Sequence, residues 1–278
     1  MVNCLSIVKA LQNADIEVRG FGHIKVDTTT IEVGNSCVAA RCRVIGTEGD
    51  MLIKCYHRRR PIYEFFERTL YYLEAMPVET LGDRVEYVDV AFSEWVAGEA
   101  LDILLYRGDC NYAALSRAFD LMTLQHKRAR RVHGDIRPEN IIVTPAGDMR
   151  LIDTDLSPTE GTGGYHAKEY GSSLFAHRHR RLRRTDEHTD DYPLALISVL
   201  LAAMTVDAHC FPRIEPMAKI ITIATDTLLS AGDMAHYNLS LAMQASIMGK
   251  IDELEEPRAS PKFFWYRSGG LHAGTRAQ

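Results

Sequence analysis

The stretch that decides the fold is Val132-His-Gly-Asp-Ile-Arg-Pro-Glu-Asn-Ile-Ile-Val143, which lies between an amphipathic helical pattern and a short apolar run. It is followed by Leu151-Ile-Asp-Thr-Asp155. The side-chain oxygens of Asn140 and Asp153 are hard ligands of the kind that Mg²⁺ prefers. Asp135 can accept the proton of an attacking hydroxyl group. Together these residues indicate phosphoryl transfer, which needs an oriented nucleophile and a metal ion that neutralises phosphate charge.

The residues from His133 to Asn140 resemble the catalytic loop of eukaryotic-type protein kinases, whose pattern is H-R-D-L-x-x-x-N. Asp153 then takes the place of the aspartate in the D-F-G motif of that family. The resemblance implies an ATP- and Mg²⁺-dependent transferase of the Ser/Thr protein-kinase type. It assigns catalysis to Asp135, a contact with the γ-phosphate to Arg137, and the metal ion to Asn140 and Asp153.

Lys54 lies in the predicted strand Met51–Tyr56 and resembles the V-A-I-K lysine that binds the α- and β-phosphates in protein kinases. An amphipathic helical pattern with interspersed glutamates begins at Pro61, a residue type that suits a first helical turn. A glutamate on this helix is expected to pair with the lysine. Glu67 is the first choice, and Glu64, one helical turn away, is the alternative.

The phosphate-covering loop implied by the resemblance is expected in Val33-Gly-Asn-Ser-Cys-Val38, where Gly34 is the single glycine. Protein kinases carry G-x-G-x-x-G-x-V at this place. Gly20-Phe-Gly22 is the alternative, although it lies farther from the lysine along the chain. The adenine is expected to bind main-chain groups of Glu94 and Val96, in the stretch that resembles the hinge between the kinase lobes.

The order of the predicted elements agrees with this resemblance, because strands and one helix come first and helices dominate afterwards. The expected fold class is α+β, a bilobal protein-kinase-like fold with a small N-lobe, made of an antiparallel sheet plus one helix, and a larger, mostly helical C-lobe. The expected domains are an N-terminal extension (1–30), the N-lobe (31–96), and the C-lobe with a C-terminal tail (97–278). The stretch Asp190–Ala195 resembles the start of the buried helix that anchors the kinase catalytic loop.

Several positions depart from the family pattern. Gly134 replaces the catalytic-loop arginine, Thr154 and Asp155 replace Phe-Gly after the metal-binding aspartate, and the segment from Asp153 to Glu169 is short. These departures leave two alternatives open beside a protein kinase. One is a pseudokinase or nucleotide-binding scaffold, and the other is a small-molecule kinase.

The composition is that of a globular protein, with 46% hydrophobic and 25% charged residues, and the net charge of −5 does not favour a nucleic-acid-binding surface. The six cysteines form no C-x-x-C pair, so free thiols and a cytoplasmic location are expected. No signal peptide and no membrane association are expected. The basic run Arg178–Arg184 is interpreted either as a solvated loop or as a docking patch for an acidic or phosphorylated protein partner.

Overall fold

The structure is a computed structural model, and it divides into two compact units, Met1–Trp95 and Val96–Gln278. Within the residues that it describes, the chain is a mixed α/β protein with six α-helices, and none of these helices is long and apolar enough to span a membrane. The described residues are 2–13, 16–18, 21–34, 36–57, 69–80, 84–129, 132–153, 175, 186, 188–209 and 217–247.

The first unit consists of helix α1 (Cys4–Leu11) and an antiparallel sheet. The strands of the sheet are β1 (Ile16–Val18), β2 (Gly22–Val26), β3 (Glu32–Val33), β4 (Cys37–Val44), β5 (Met51–Tyr56), β6 (Thr69–Thr80) and β7 (Arg84–Glu94). Their order is β1-β2-β4-β5-β7-β6, and β3 pairs with β4. The edge strands β1 and β6 contact each other, so the sheet is nearly closed and barrel-like.

The inner face of this sheet is apolar. In β4, Val38, Ala40 and Cys42 are buried and alternate with more exposed residues, as the two-residue period of a strand requires. They belong to the same core cluster as Ile7 and Leu11, which lie four residues apart on one face of α1. Residues 1–30 therefore contribute α1, β1 and β2 to the core of the first unit.

The prediction of a bilobal, protein-kinase-like fold is wrong. In the residues that the structure describes, the first unit has α1 and a nearly closed antiparallel sheet of six strands plus β3, and not the small N-lobe sheet of a kinase. The helix that was expected to begin at Pro61 and to include Leu70 and Leu73 is replaced from Thr69 onward by β6. β6 pairs with β7 along nearly its whole length, and this long hydrogen-bonded ladder outweighs the helical periodicity of the local sequence.

The described part of the second unit combines five helices with a three-stranded antiparallel sheet. The helices are α2 (Leu101–Arg107), α3 (Tyr112–Arg128), α4 (Asp191–Val206), α5 (Met217–Ala231) and α6 (Met234–Ile247). The strands β8 (Glu99–Ala100), β9 (Ile141–Val143) and β10 (Met149–Leu151) have the order β10-β9-β8. All residues of α4 from Pro193 to Met204 are buried, and α4 contacts α3, α5 and α6. A helix that is apolar on all sides needs neighbours on all sides, so α4 forms the centre of this unit.

The β9–β10 hairpin packs tightly against the chain at Gly98. This glycine has a φ of 149°, and a Cβ atom there would lie 2.3 Å from the carbonyl oxygen of Val143. No side chain fits at that distance, so the position requires glycine. The pairing of Glu99 with Val143 continues the contact into β8 and fixes the hairpin that carries the candidate site.

Candidate active site

A buried carboxylate fixes the loop formed by residues 132–140, named here the Asp135 loop. The backbone N–H groups of His133 and Gly134 donate to Oδ2 and Oδ1 of Asp190 at 2.5 Å and 2.9 Å, and His126 Nε2 lies 2.8 Å from Oδ2. Gly134 has a φ of 84°, a conformation that glycine adopts without steric cost. Because Asp190 lies directly before α4, it ties the Asp135 loop to the central helix of the unit.

The surroundings of Asp190 keep it ionised. Burial raises its pKa, but the hydrogen bond from His126, the charge of His126 and the backbone N–H of His133 outweigh burial, and the pKa is lowered. The buried residue is thus a charged acceptor with three donors, the arrangement in which a buried carboxylate is tolerated.

His133 connects the Asp135 loop to the residue after β10. Its Nε2 atom lies 2.7 Å from the carbonyl oxygen of Ile152, and its Nδ1 atom accepts the backbone N–H of Asp135 at 3.3 Å. A carbonyl oxygen can only accept, so the tautomer with the proton on Nε2 satisfies both contacts. His133 is only 2% exposed, and its contacts orient the backbone at Asp135.

Asp135, Arg137 and Asn140 meet within the Asp135 loop. The Nδ2 group of Asn140 donates to the main-chain oxygen of Asp135 at 2.8 Å and lies 3.3 Å from its Oδ2 atom. The Nε atom of Arg137 is 3.6 Å from the same Oδ2 atom. A short 3₁₀ turn that starts at Pro138 buries Asn140 to 4% exposure. The amide nitrogen of Asn140 is thus used inside the loop, and its Oδ1 atom is the one able to bind a metal ion.

Asp153 lies at the same end of the β9–β10 hairpin as Asn140. Leu151 pairs with Ile141, and the N–H of Ile152 donates to the carbonyl oxygen of Asn140 at 2.9 Å. Asp153 has a φ of 61°, and it is the one non-glycine residue with a positive φ in the described part of the chain. Such a conformation is unfavourable for an L-residue by about 1 kcal/mol and is concentrated at functional sites.

The donor set of this hairpin end suits Mg²⁺ held together with phosphate. It offers the carboxylate of Asp153 and the amide oxygen of Asn140, both hard oxygen ligands. The described residues contain no group of three or more His, Cys, Asp and Glu side chains that could hold a metal ion without other ligands. Mg²⁺ is commonly bound by one or two protein ligands plus substrate phosphates, so the set fits a metal ion that arrives with a nucleotide.

Lys54 lies in β5 of the first unit, on the face opposite the apolar core. Its cross-strand neighbours are Ala39 and Ala91, and it is 9% exposed. Asp89 is 3% exposed and lies two residues from Ala91, on the same face of β7, and it was not among the predicted site residues. Its signal in the sequence is an acidic residue inside the apolar run Val88–Phe92.

The structure separates the two glycine alternatives. Gly34 lies beside the β3–β4 turn, where its N–H donates to the carbonyl oxygen of Cys37 at 2.9 Å, and β4 is adjacent to the strand of Lys54. Gly22 begins β2, and β2 pairs with the far end of β4, around Cys42. Gly34 is therefore the glycine nearer to the lysine along the sheet.

The remaining site predictions lie elsewhere. Glu94 is the exposed last residue of β7, and Val96 begins the second unit. Glu67, the alternative Glu64 and the basic run Arg178–Arg184 lie outside the described residues. The second unit brings together Asp135, Arg137, Asn140 and Asp153, whereas Lys54 and Gly34 belong to the first unit.

No protein-family model matches this chain, and a comparison with curated proteins finds no match either. The functional assignment therefore depends on the geometry around Asp135 and on the chemistry of its residues.

Proposed function

We propose that this chain is an ATP- and Mg²⁺-dependent phosphotransferase that transfers the γ-phosphate to a hydroxyl group, as Ser/Thr protein kinases do. One observation carries the proposal. At the end of the β9–β10 hairpin, Asn140 holds both the main chain and the carboxylate of Asp135, and Asp153 adopts a positive φ beside them. The likeness of the Asp135 loop to the kinase catalytic loop supports the assignment at the level of the site, not of the fold.

Asp135 is the proposed catalytic residue. It orients the acceptor hydroxyl and takes up its proton. The Nδ2 group of Asn140 donates to the Oδ2 atom of Asp135 and restricts the orientation of this carboxylate, as the positioning of a nucleophile requires, and the charge of Arg137 lies 3.6 Å from the same atom. Arg137 also brings a permanent positive charge to the region in which the γ-phosphate would react.

Asn140 and Asp153 are the proposed metal ligands. When bound, Mg²⁺ supplies neutralisation of the phosphate charge. The proposed role of these two residues is to present oxygen atoms at one end of a rigid hairpin. The buried position of Asn140 and the hydrogen bond between Ile152 and Asn140 support this role, because they restrict the motion of both ligands.

Further nucleotide contacts are proposed for residues 34 to 96 of the chain. Lys54 binds the α- and β-phosphates, with Glu67 as its partner, and the turn at Gly34 covers the phosphates. The main chain of Glu94 and Val96 binds the adenine. The strand β4, which follows the turn at Gly34, is adjacent to the strand of Lys54, and this neighbourhood supports the role.

A cytoplasmic location is part of the proposal. ATP is available there, and thiols stay reduced, in agreement with the five free cysteines among the described residues. The proposed acceptor is a protein that docks through acidic or phosphorylated groups at Arg178–Arg184, since opposite charges favour that encounter.

A nucleotide-binding scaffold without turnover is the second candidate. It is favoured by the turn at Gly34, whose carbonyl oxygen lies 3.4 Å from His57 Nε2 and whose neighbour Ser36 accepts the N–H of His57 at 3.1 Å. A turn held in this way adapts less readily to phosphate than a loop with three glycines.

Transfer from γ-labelled ATP with Mg²⁺, to the chain itself and to a generic protein acceptor, tests the proposal. Asp135→Asn and Asp153→Ala are each expected to lower transfer by about 100-fold or more, because one removes the base and the other a metal ligand. Asp148→Asn, in the exposed turn of the same hairpin, is the matched control and is expected to retain wild-type transfer.

Three results separate the candidates. Transfer by the wild type that is lost in Asp135→Asn supports the phosphotransferase. ATP binding without transfer in all samples supports the scaffold. Transfer that persists in Asp135→Asn and Asp153→Ala would remove both residues from the site.

A further inference from the structure

The two strands β6 and β7 extend beyond the end of β5. β5 pairs with β7 only from Val90 to Glu94, whereas β6 follows β7 as far as Arg84. Along Arg84–Tyr87 the described residues therefore provide a strand on one edge of β7 and no hydrogen-bond partner on the other. Successive residues of an antiparallel strand direct their N–H and C=O groups to opposite edges, so every second residue of this segment presents both groups to the open edge.

The side chains along this open edge are exposed and differ between the two faces of the strand. Val85 and Tyr87 are 55% and 57% exposed and share one face with Pro77, which lies opposite Tyr87 in β6. Arg84 and Glu86 alternate with them and so lie on the other face, also exposed. One face of the edge is thus apolar, and the other carries two opposite charges two positions apart.

This pattern is complementary to itself. In antiparallel pairing with a second copy of the chain, centred on Val85, Arg84 lies opposite Glu86 of the second copy, and the two-fold axis repeats that pair. Val85 then lies opposite its own equivalent, with Tyr87 as its diagonal neighbour. A register shifted by two residues brings like charges opposite each other, and a shift by one brings a charged residue opposite an apolar one.

The stability of the strand pair also favours such a neighbour. A two-stranded ribbon alone is marginally stable in water, whereas pairing of two copies makes a four-stranded antiparallel sheet with the order β6-β7-β7-β6. Edges that are protected against pairing carry lysine, proline or a bulge. The segment Arg84–Val88 contains neither lysine nor proline, and its pairing with β6 is regular from Arg84 to Val88.

We propose that the open edge of β7, from Arg84 to Tyr87, is an interface through which two copies of this chain pair as antiparallel strands about a two-fold axis. Main-chain hydrogen bonds join the copies, the Arg84–Glu86 pairs set the register, and Val85 and Tyr87 form a shared apolar face. The pairing involves none of the residues assigned to phosphoryl transfer. Because the paired segment is short, the dimer is expected to be weak and to depend on concentration.

Sedimentation velocity of the full chain over a concentration series at low salt tests the pairing and its register. The wild type is expected to associate to a dimer. Arg84→Glu and Glu86→Arg are each expected to weaken the dimer about tenfold or more, because both symmetric pairs become pairs of like charge. The double variant Arg84→Glu/Glu86→Arg exchanges the charges and is expected to restore the wild-type affinity. An equimolar mixture of the two single variants is expected to form a heterodimer for the same reason.

A monomeric wild type at every concentration would overturn the proposal and leave the edge to a strand of another protein. A dimer that is unaffected by both single variants would form through a different surface and would overturn it as well. Loss of affinity in the single variants without recovery in the double variant would contradict the proposed register.

The apolar face has a separate test with a matched control. Val85→Asp is expected to weaken the dimer about tenfold or more, because it places two like charges opposite each other at the two-fold axis. Val33→Asp, at a 58% exposed valine in β3, is the control and is expected to dimerise as the wild type does. Circular dichroism verifies that both variants are folded. Equal dimer affinities of Val85→Asp and Val33→Asp would contradict an interface at β7.

Discussion

Two aspartates of the second unit, Asp190 beside the Asp135 loop and Asp120 in the middle of α3, have opposite surroundings. Asp190 is 1% exposed and receives hydrogen bonds from His126 and from two backbone N–H groups. The Oδ1 atom of Asp120 is buried and makes no hydrogen bond within the described part of the chain. Burial raises the pKa of Asp120 to about 6, against the opposing charge of His236.

Burial alone does not decide whether the carboxyl group of Asp120 or of Asp190 is ionised. Burial raises the pKa of Asp190 too, but the donors around it reverse the direction of the shift. Hydrogen-bond donors thus keep Asp190 ionised, whereas the charge of His236 only moderates the effect of burial on Asp120. The ionised Asp190 anchors the Asp135 loop. Asp120, with a pKa of about 6, lies in the middle of α3.

The largest effect is expected from Asp190→Asn. The amide nitrogen of the variant would face the donors that now bind a carboxylate, so the free energy of unfolding of the second unit is expected to fall by about 3 kcal/mol. Urea unfolding followed by circular dichroism at the helix signal measures this change. Transfer activity is expected to fall as well, because the Asp135 loop loses its anchor.

The pH dependence of this effect has a definite sign. The pKa of Asp190 is lowered by folding, so its contribution is present above the ordinary carboxyl pKa and is lost as the pH falls through the lowered value. The difference between wild type and variant should therefore shrink below about pH 4. Asp207→Asn, at the exposed end of α4, is the control and should change stability by less than about 0.5 kcal/mol. Equal midpoints for the two variants would show that Asp190 is not an anchor.

Asp120→Asn is expected to act in the opposite direction. The folded-state pKa of Asp120 is raised to about 6, so its favourable contribution is present below the ordinary carboxyl pKa and is lost as the pH rises through about 6. Asparagine stays neutral, and the variant is expected to be more stable than the wild type by about 2 kcal/mol at pH 8. The measurement is urea unfolding over a series of pH values.

The same series of pH values also tests whether the ionisation of Asp120 explains the difference in stability. At about pH 4 the two proteins should have the same stability, because Asp120 is then protonated in the folded wild type. Asp226→Asn, at an exposed position of α5, is the control, and its stability relative to the wild type should not change with pH in this way. A gain in Asp120→Asn that is independent of pH would exclude ionisation as its cause.

The Asp135 loop and the β9–β10 hairpin were largely predictable from the sequence because the contacts within them are local, whereas the bonds from Asp190 to His133 and Gly134 span more than 50 positions and were not predicted. Asp135 and Asn140 are five residues apart, and one side chain bonds directly to the other residue. The hairpin strands near Ile141 and Met149 follow from an apolar run, a turn and a second apolar run. The buried helix after Asp190 follows from its uniformly apolar sequence.

The first unit could be predicted only in part, because its structure depends on distant pairing. The strand Met51–Tyr56 was predicted with its observed bounds from its own residues. β6 was missed because its state depends on the ladder with β7, and its local sequence has a helical period. Closure of the sheet by β1 and β6 likewise has no local signal.

The roles of several single residues also depend on contacts that are distant in the sequence. The role of Gly98 comes from its approach to the carbonyl of Val143, and nothing in its neighbours along the chain indicates that approach. The side chains of Cys4 and His57 are in contact although they are 53 positions apart, and no sequence pattern predicts this contact. Position in a sheet also set the burial of Asp89, which in the sequence is only an acidic residue among apolar ones.

The smallest effect, and the sharpest test of the comparison, is expected from His236→Gln. His236 Nδ1 lies 2.7 Å from Asp233 Oδ2, and the charge of His236 lowers the pKa of Asp120 against the larger effect of burial. Loss of the imidazole charge should therefore move the pKa of Asp120 upward from about 6, which carboxyl NMR titration can measure. His188→Gln is the matched control, because His188 forms a similar pair with Asp191 and should leave the titration of Asp120 unchanged. A downward shift in His236→Gln would mean that the imidazole acts on Asp120 by packing and not by charge, and the contrast with Asp190 would then depend only on the hydrogen-bond donors around Asp190.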